Sequence, residues 1–93
     1  MIRRDGEAFR VEGPVTIANV EALLAEGLRL FEGQDIRVDL AGITEVDSSA
    51  VSLLLEWSRD AAHHGRRLTF LNLDSNLKSL ATLYGVSTLI PAA

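Results

Sequence analysis

The sequence has no cysteine. That excludes disulfide bridges, thiolate nucleophiles and cysteine-held metals, and makes a reducing compartment the expected home. It also has no excess of positive charge. Thirteen acidic residues stand against nine Lys and Arg, a formal net charge of −4, so the basic stripe with which a non-specific nucleic-acid binder displaces counterions is missing. No apolar run reaches the length that spans a bilayer. Met1-Ile2-Arg3-Arg4-Asp5-Gly6-Glu7 has basic residues with no apolar segment behind them, so it does not read as a secretory signal. Enzyme signatures are absent too: there is no Gly-x-Ser-x-Gly elbow, P-loop, dinucleotide fingerprint or cysteine–histidine pair. The 93 residues suffice for one core and not for two. The expectation is a single cytoplasmic domain over residues 1–93 with no catalysis of its own, no cofactor or metal, no nucleic-acid partner and no direct membrane insertion.

What the chain does have is one organising stretch, from Ile36 to Trp57. Ile36, Val38 and Leu40 alternate with Arg37 and Asp39, the pattern of a strand with one buried face. A short loop containing Gly42 is expected next. Asp47-Ser48-Ser49 then stands directly before an apolar run, where a side-chain oxygen can accept from the free N–H groups of a first helical turn. Strand, loop and capped helix place two hydroxyls at the positive end of a helix dipole. Asp39, on the polar side of its strand, could fix the loop through hydrogen bonds or serve a site.

Around this stretch the rest falls into order. Asp5-Gly6 marks a tight turn, so Met1–Arg4 and Ala8–Glu12 are expected to pair as a hairpin. Phe9, Val11, Val15 and Ile17 alternate, with a bend or stop expected at Gly13-Pro14. From about Ala18 the period changes. Val20, Leu23, Leu24, Gly27, Leu28 and Phe31 form one helical stripe ending near Gly33. Gly27 lies on that stripe, where it lowers helix propensity by about 1 kcal/mol relative to Ala, and close approach to the sheet would account for it. The second helix should stop at Gly65, with His63 and His64 complementing its C-terminal dipole. Arg67 to Leu73 reads as a buried strand. Asp74-Ser75-Asn76 caps a third helix carrying Leu77, Leu80, Ala81 and Tyr84 and ended by Gly85. Residues 86–91 are too few to classify. The order, a β-hairpin then αβαβα, predicts an α/β fold in which about three helices cover a mixed sheet.

On a helical wheel at about 100° per residue, Ser49, Ser52, Glu56, Arg59, Asp60 and His63 share one polar face of the second helix. Its apolar arc spans roughly 200°, more than the roughly 100° a helix needs against a sheet. Leu53 and Trp57, beside Ser49, are the edge of that surplus. Either a neighbouring helix covers them or they form a partner-docking edge with a polar rim.

The segment Val46–Leu55 resembles the signature loop and helix of STAS domains, the family of sulfate-transporter tails and anti-sigma-factor antagonists. Within that family it is most similar to the small STAS component of Mla-type phospholipid ABC transporters. The further points of likeness are Leu53-Leu54-Leu55-Glu56-Trp57, the segment Leu80-Ala81-Thr82-Leu83-Tyr84-Gly85-Val86 and the short chain. One departure is Ala50, where these domains usually carry Gly; its methyl is expected to narrow the approach to the loop.

The resemblance implies a STAS-like sandwich and a non-catalytic subunit, peripheral to the inner membrane, that binds the transporter's ATPase and supports its assembly or activity. The assembly would maintain outer-membrane lipid asymmetry. The partner-binding residues would be Asp47, Ser48, Ser49, Ser52, Leu53, Glu56 and Trp57, and an apolar edge left without its partner would favour self-association. The alternative is an anti-sigma-factor antagonist switched by phosphorylation. Ser49 matches the phospho-acceptor of those antagonists and Ser48 the hydroxyl position of the Mla-type proteins. Such antagonists generally continue into another strand and helix, for which no sequence follows Ala93.

Overall fold

The structure, a computed structural model, describes residues 1–92; Ala93, the last residue of the expected domain, lies outside them. Strands β1 (Ile2–Asp5) and β2 (Ala8–Val15) form the expected hairpin, with Ile2 opposite Val11 and Asp5 opposite Ala8. The turn between them is made by Gly6 at φ 63°, a conformation that favours glycine. Helix α1 (Val20–Leu30) leads to β3 (Asp35–Val46), helix α2 (Ser48–His63) to β4 (Arg67–Leu71), and α3 (Ser75–Leu83) to a 3₁₀ turn at Ser87–Leu89. The sheet order is β1-β2-β3-β4, with β1 antiparallel to β2 and the other pairs parallel. Each parallel strand is added beside its predecessor in the same direction. Right-handed crossovers then put the helices on one face.

Alternate residues divide the sheet. Phe9, Val11, Val15, Ile36, Val38, Leu40, Leu68 and Phe70 point into the core beneath the helices. The other face is open and charged, carrying the ion pairs Arg3–Glu12 at 2.6 Å and Arg10–Asp39 at 3.7 Å. The more exposed Arg3–Glu12 pair contributes little by itself, whereas Arg10–Asp39 is half-buried. No helix among the described residues is long and apolar enough to cross a membrane.

Two elements are longer than expected. β2 does not stop at Gly13-Pro14, and β3 does not give way to a loop after Leu40. Glu12 pairs with Gly42, Gly13 with Ile43, Pro14 with Glu45 and Val15 with Val46, with one register shift before Glu12 and a second between Gly13 and Pro14, so the strand bends there without stopping. Each half supplies the partner that the other needs, which local composition does not reveal. Gly42 is in the strand because of crowding: a Cβ there would stand 2.8 Å from the Val11 carbonyl oxygen.

Helix α1 begins at Val20 and ends at Leu30, where the Phe31 N–H donates to the Gly27 carbonyl, and Gly33 belongs to the turn that follows. Strand β4 stops at Leu71, two residues earlier than expected, because Asn72 adopts φ 59°. Asp74 caps α3 by accepting from Leu77 N–H at 2.7 Å, and Leu77 and Ala81 are buried. The unclassified tail closes the sheet edge. Ile90 is buried, and Phe70 N–H donates to the Pro91 carbonyl at 2.8 Å. At the end of α2, His64 Nδ1 lies 2.8 Å from the Asp60 carbonyl oxygen.

Asp39 turns out to be a structural anchor. Its Oδ1 accepts from Ala41 N–H and Asn72 Nδ2, both at 2.9 Å, with Arg10 nearby. The Asn72 hydrogen bond foremost, then that from Ala41, holds its carboxyl below the ordinary value of 3.8. A carboxyl lowered on folding contributes stability that is fully present above its unfolded value and lost as pH falls through the folded one. Urea midpoints measured at pH 7 and below pH 3.8 should therefore differ less in Asp39→Asn than in wild type, with the larger loss in the variant at pH 7. An unchanged pH dependence would remove Asp39 as the anchor of the β4–α3 connection.

Candidate functional site

The start of α2 is built by one carboxylate. Asp47 is the N-cap; its Oδ1 accepts from Ser49 N–H at 2.9 Å and also from the Ser49 hydroxyl. Its Oδ2 accepts from Ile17 N–H at 2.9 Å, thirty residues away in the turn between β2 and α1. That turn has its own latch: Asn19 Oδ1 accepts from Thr16 N–H, and Asn19 Nδ2 donates to the Pro14 carbonyl. The Ser49 hydroxyl, then the Ile17 N–H, holds the Asp47 carboxyl below its ordinary value, so it is ionised at neutral pH.

A groove of about 610 Å³ opens beside this cap. Asp47, Ser48, Ser49 and Ser52 form its polar side, and Ile17, Val51, Leu55, Tyr84 and Val86 its apolar side. Ile17 is 77% exposed and Tyr84 55%, unusual for large apolar or aromatic side chains that flank one concavity. Ser48 and Ser52 are exposed, whereas the Ser49 hydroxyl is engaged by Asp47. The arrangement offers hydroxyls and a helix N-terminus next to a wall that gains by losing water, which suits a docking surface. No cluster of three or more metal-ligating side chains occurs among the described residues.

Four of the residues expected at a partner surface are thus together: Asp47, Ser48, Ser49 and Ser52. Leu53 and Trp57 require correction, and Glu56 stands apart from the groove. Leu53 and Trp57 are 2% and 1% exposed and form no surface edge. Helix α1 lies over them: Trp57 Nε1 donates to the Leu24 carbonyl at 3.3 Å, and the indole meets Phe31 edge-on at 5.0 Å between ring centroids. Gly27 makes this approach feasible, so its close contact is with a neighbouring helix and not with the sheet. Glu56 points to a separate shallow groove with Leu24, Leu28 and His63 and pairs with Arg59 at 2.7 Å. Ala50, 1% exposed, faces the core, so its methyl does not narrow the approach to the loop.

The surplus apolar arc of α2 is real but its accessible part lies on the opposite edge, at half-buried Leu55 next to Ser48 and Ser52, with Val51 buried behind it. Ile17 and Tyr84 escaped notice because both continue patterns that otherwise point inward. Ile17 follows Val15 at strand spacing, and Tyr84 follows Leu77, Leu80 and Ala81 at helical spacing. The turn at Thr16–Asn19 and the end of α3 carry them out to the groove.

One-sided helical cover over a mixed sheet, with a capped helix start exposed at its edge, is the architecture of a STAS domain, and the chain belongs to that family. The matching family model, over residues 1–91, is the one described as "Mlab, STAS domain". Solved structures share the fold at low identity. The anti-sigma factor antagonist SpoIIAA in its unphosphorylated form is 18% identical with a TM-score of 0.70, over 100% of this chain and 86% of that one. RsbS S58E of Moorella thermoacetica is 18% identical with a TM-score of 0.74, over 100% and 84%. A sulfate transporter family protein from Wolinella succinogenes is 15% identical with a TM-score of 0.70, over 90% and 70%. No curated protein matches the chain. STAS domains are in general non-catalytic regulatory or interaction domains.

Proposed function

We propose that this chain is the non-catalytic STAS subunit of a Mla-type phospholipid ABC transporter and that it docks onto the transporter's ATPase. It would sit on the cytoplasmic side, peripheral to the inner membrane, and support the assembly or activity that maintains outer-membrane lipid asymmetry. The groove carries the docking part of this reading: Ser48, Ser52 and Leu55 of α2 line it together with the exposed Ile17 and Tyr84. The description of the matching family model supports the choice of partner.

The test is co-purification of the tagged chain with a co-expressed ATPase of that transporter class. Wild type should recover the ATPase in stoichiometric amount. Ser52→Arg, which puts a long charged side chain into the groove from an exposed helix position, should keep the fold by circular dichroism and weaken capture by at least about 100-fold, the scale of a hot-spot loss. Tyr84→Ala should weaken it about tenfold or more. Undiminished capture by both folded variants would place any interface elsewhere, and no capture by wild type would reject the ATPase as partner.

A second reading has the antagonist-like fold in its favour: a serine-phosphorylated antagonist of an anti-sigma factor, whose acceptor position, Ser49, is half-buried here with its hydroxyl engaged by Asp47. A phosphoryl group on Ser48 or Ser49 would add close to two negative charges at a helix N-terminus but next to ionised Asp47. Phosphate transfer from a partner kinase to either serine, together with neighbouring genes for a kinase and a sigma factor, would select this reading over the transporter one.

A further inference from the structure

We infer that Asp47 acts on docking as a positioning residue rather than as a contact: its carboxylate ties the Ile17 turn to the first turn of α2 and so holds one wall of the groove in place. The inference rests on the groove being the docking surface. Its two oxygens have separate duties. Oδ1 serves the helix through Ser49, and Oδ2 serves the β2–α1 turn through Ile17 N–H. Ile17 needs such a tether because its side chain is 77% exposed and gains almost nothing from the core. The turn's other bonds, among them Thr16 N–H to Asn19 Oδ1, Asn19 Nδ2 to the Pro14 carbonyl, Ala18 N–H to Thr16 Oγ1 and Asn19 N–H to the Thr16 carbonyl, organise it internally but do not join it to α2. A backbone bond from Asp47 N–H to the Val15 carbonyl, at 3.4 Å, leaves the two segments adjacent without fixing where Ile17 lies.

This division of labour makes one substitution selective. In Asp47→Asn a single oxygen remains. Two donors, Ser49 N–H and its hydroxyl, compete for it on the helix side, so the amide nitrogen is turned toward Ile17 N–H and donor meets donor. Asn is as good an N-cap as Asp, so the helix start survives. The tether alone is lost.

The experiment combines amide exchange with binding to the transporter ATPase. Asp47→Asn should melt within a few degrees of wild type, exchange its Ile17 amide roughly tenfold faster, and bind the ATPase roughly tenfold more weakly. In an Ile17→Ala background, where the wall is already gone, Asp47→Asn should have no further effect on affinity. An undiminished effect in that background would make Asp47 a direct contact and overturn the inference, as would unchanged Ile17 exchange in the single variant. If Ile17→Ala and Tyr84→Ala both bind the ATPase as wild type does, the docking reading itself fails. The exchange of Ile17 in the free protein still decides whether the tether exists.

Discussion

Trp57→Ala is expected to lower the stability of the domain by about 3–5 kcal/mol, the range for removing a large aromatic ring from a core. In a domain of this size that corresponds to a fall in melting temperature of at least roughly 12 °C. Three losses combine. The indole is 1% exposed, so its truncation leaves a cavity between α1 and α2. The edge-on contacts run from Trp57 to Phe31 and on from Phe31 to Phe9, linking α2 through the end of α1 to β2, and the first link disappears. The Leu24 carbonyl loses the indole N–H as a partner. Urea or thermal unfolding followed by circular dichroism gives the number directly. A change below about 1 kcal/mol would mean that α1 does not cover this residue.

The same variant separates core from surface. Trp57 contributes nothing to the groove, so at a temperature where Trp57→Ala is still folded it should capture the partner as wild type does. Ser52→Arg should behave in the opposite way, folded and unable to bind. Loss of binding in a demonstrably folded Trp57→Ala protein would restore the surface role that the helical wheel suggests.

The framework of this fold was legible because each element carries its own punctuation. Alternation marks β2 and the first half of β3, Asp47 and Asp74 mark helix starts, and Gly65 and Gly85 follow helix ends at positive φ. What stayed hidden depends on partners distant in sequence. Ala41–Val46 is strand only because Glu12–Val15 runs beside it, and Gly42, a loop signal by composition, is a packing requirement in three dimensions.

The site was half legible for the same reason. Asp47, Ser48, Ser49 and Ser52 are announced by the cap and by one helical turn. The apolar lining is assembled from Ile17, Leu55, Tyr84 and Val86, which belong to three different segments. A wheel shows how wide an apolar arc is but not which edge the neighbouring helix takes. Here the small residue at position 27 decides it, by admitting Trp57 and leaving Leu55 at the groove.

That dependence gives the last expected result. Gly27→Ala adds the best helix former to a helix interior and by propensity alone should stabilise by about 1 kcal/mol. The fold reverses the sign. An added Cβ would lie 2.5 Å from Trp57 Cε2 and 2.7 Å from Cζ2, well inside contact distance. The indole is the middle member of no flexible chain: it is pinned between α1 and Phe31, so either the helices separate or the ring turns out of its pocket. Overpacking of this kind costs about 1–3 kcal/mol and sometimes more, which exceeds the propensity gain or cancels it at the lower limit. We expect a net loss of roughly 1 kcal/mol, a fall of about 4–8 °C in melting temperature. Because Trp57 is the sole tryptophan, its emission should shift to longer wavelength as the ring is displaced. The decisive measurement is the double-mutant cycle. Against a Trp57→Leu background the same Gly27→Ala change meets a smaller side chain, and its effect should move toward stabilisation by at least about 1 kcal/mol. An equal destabilisation in both backgrounds would show that the glycine is required by something other than the indole that lies across it.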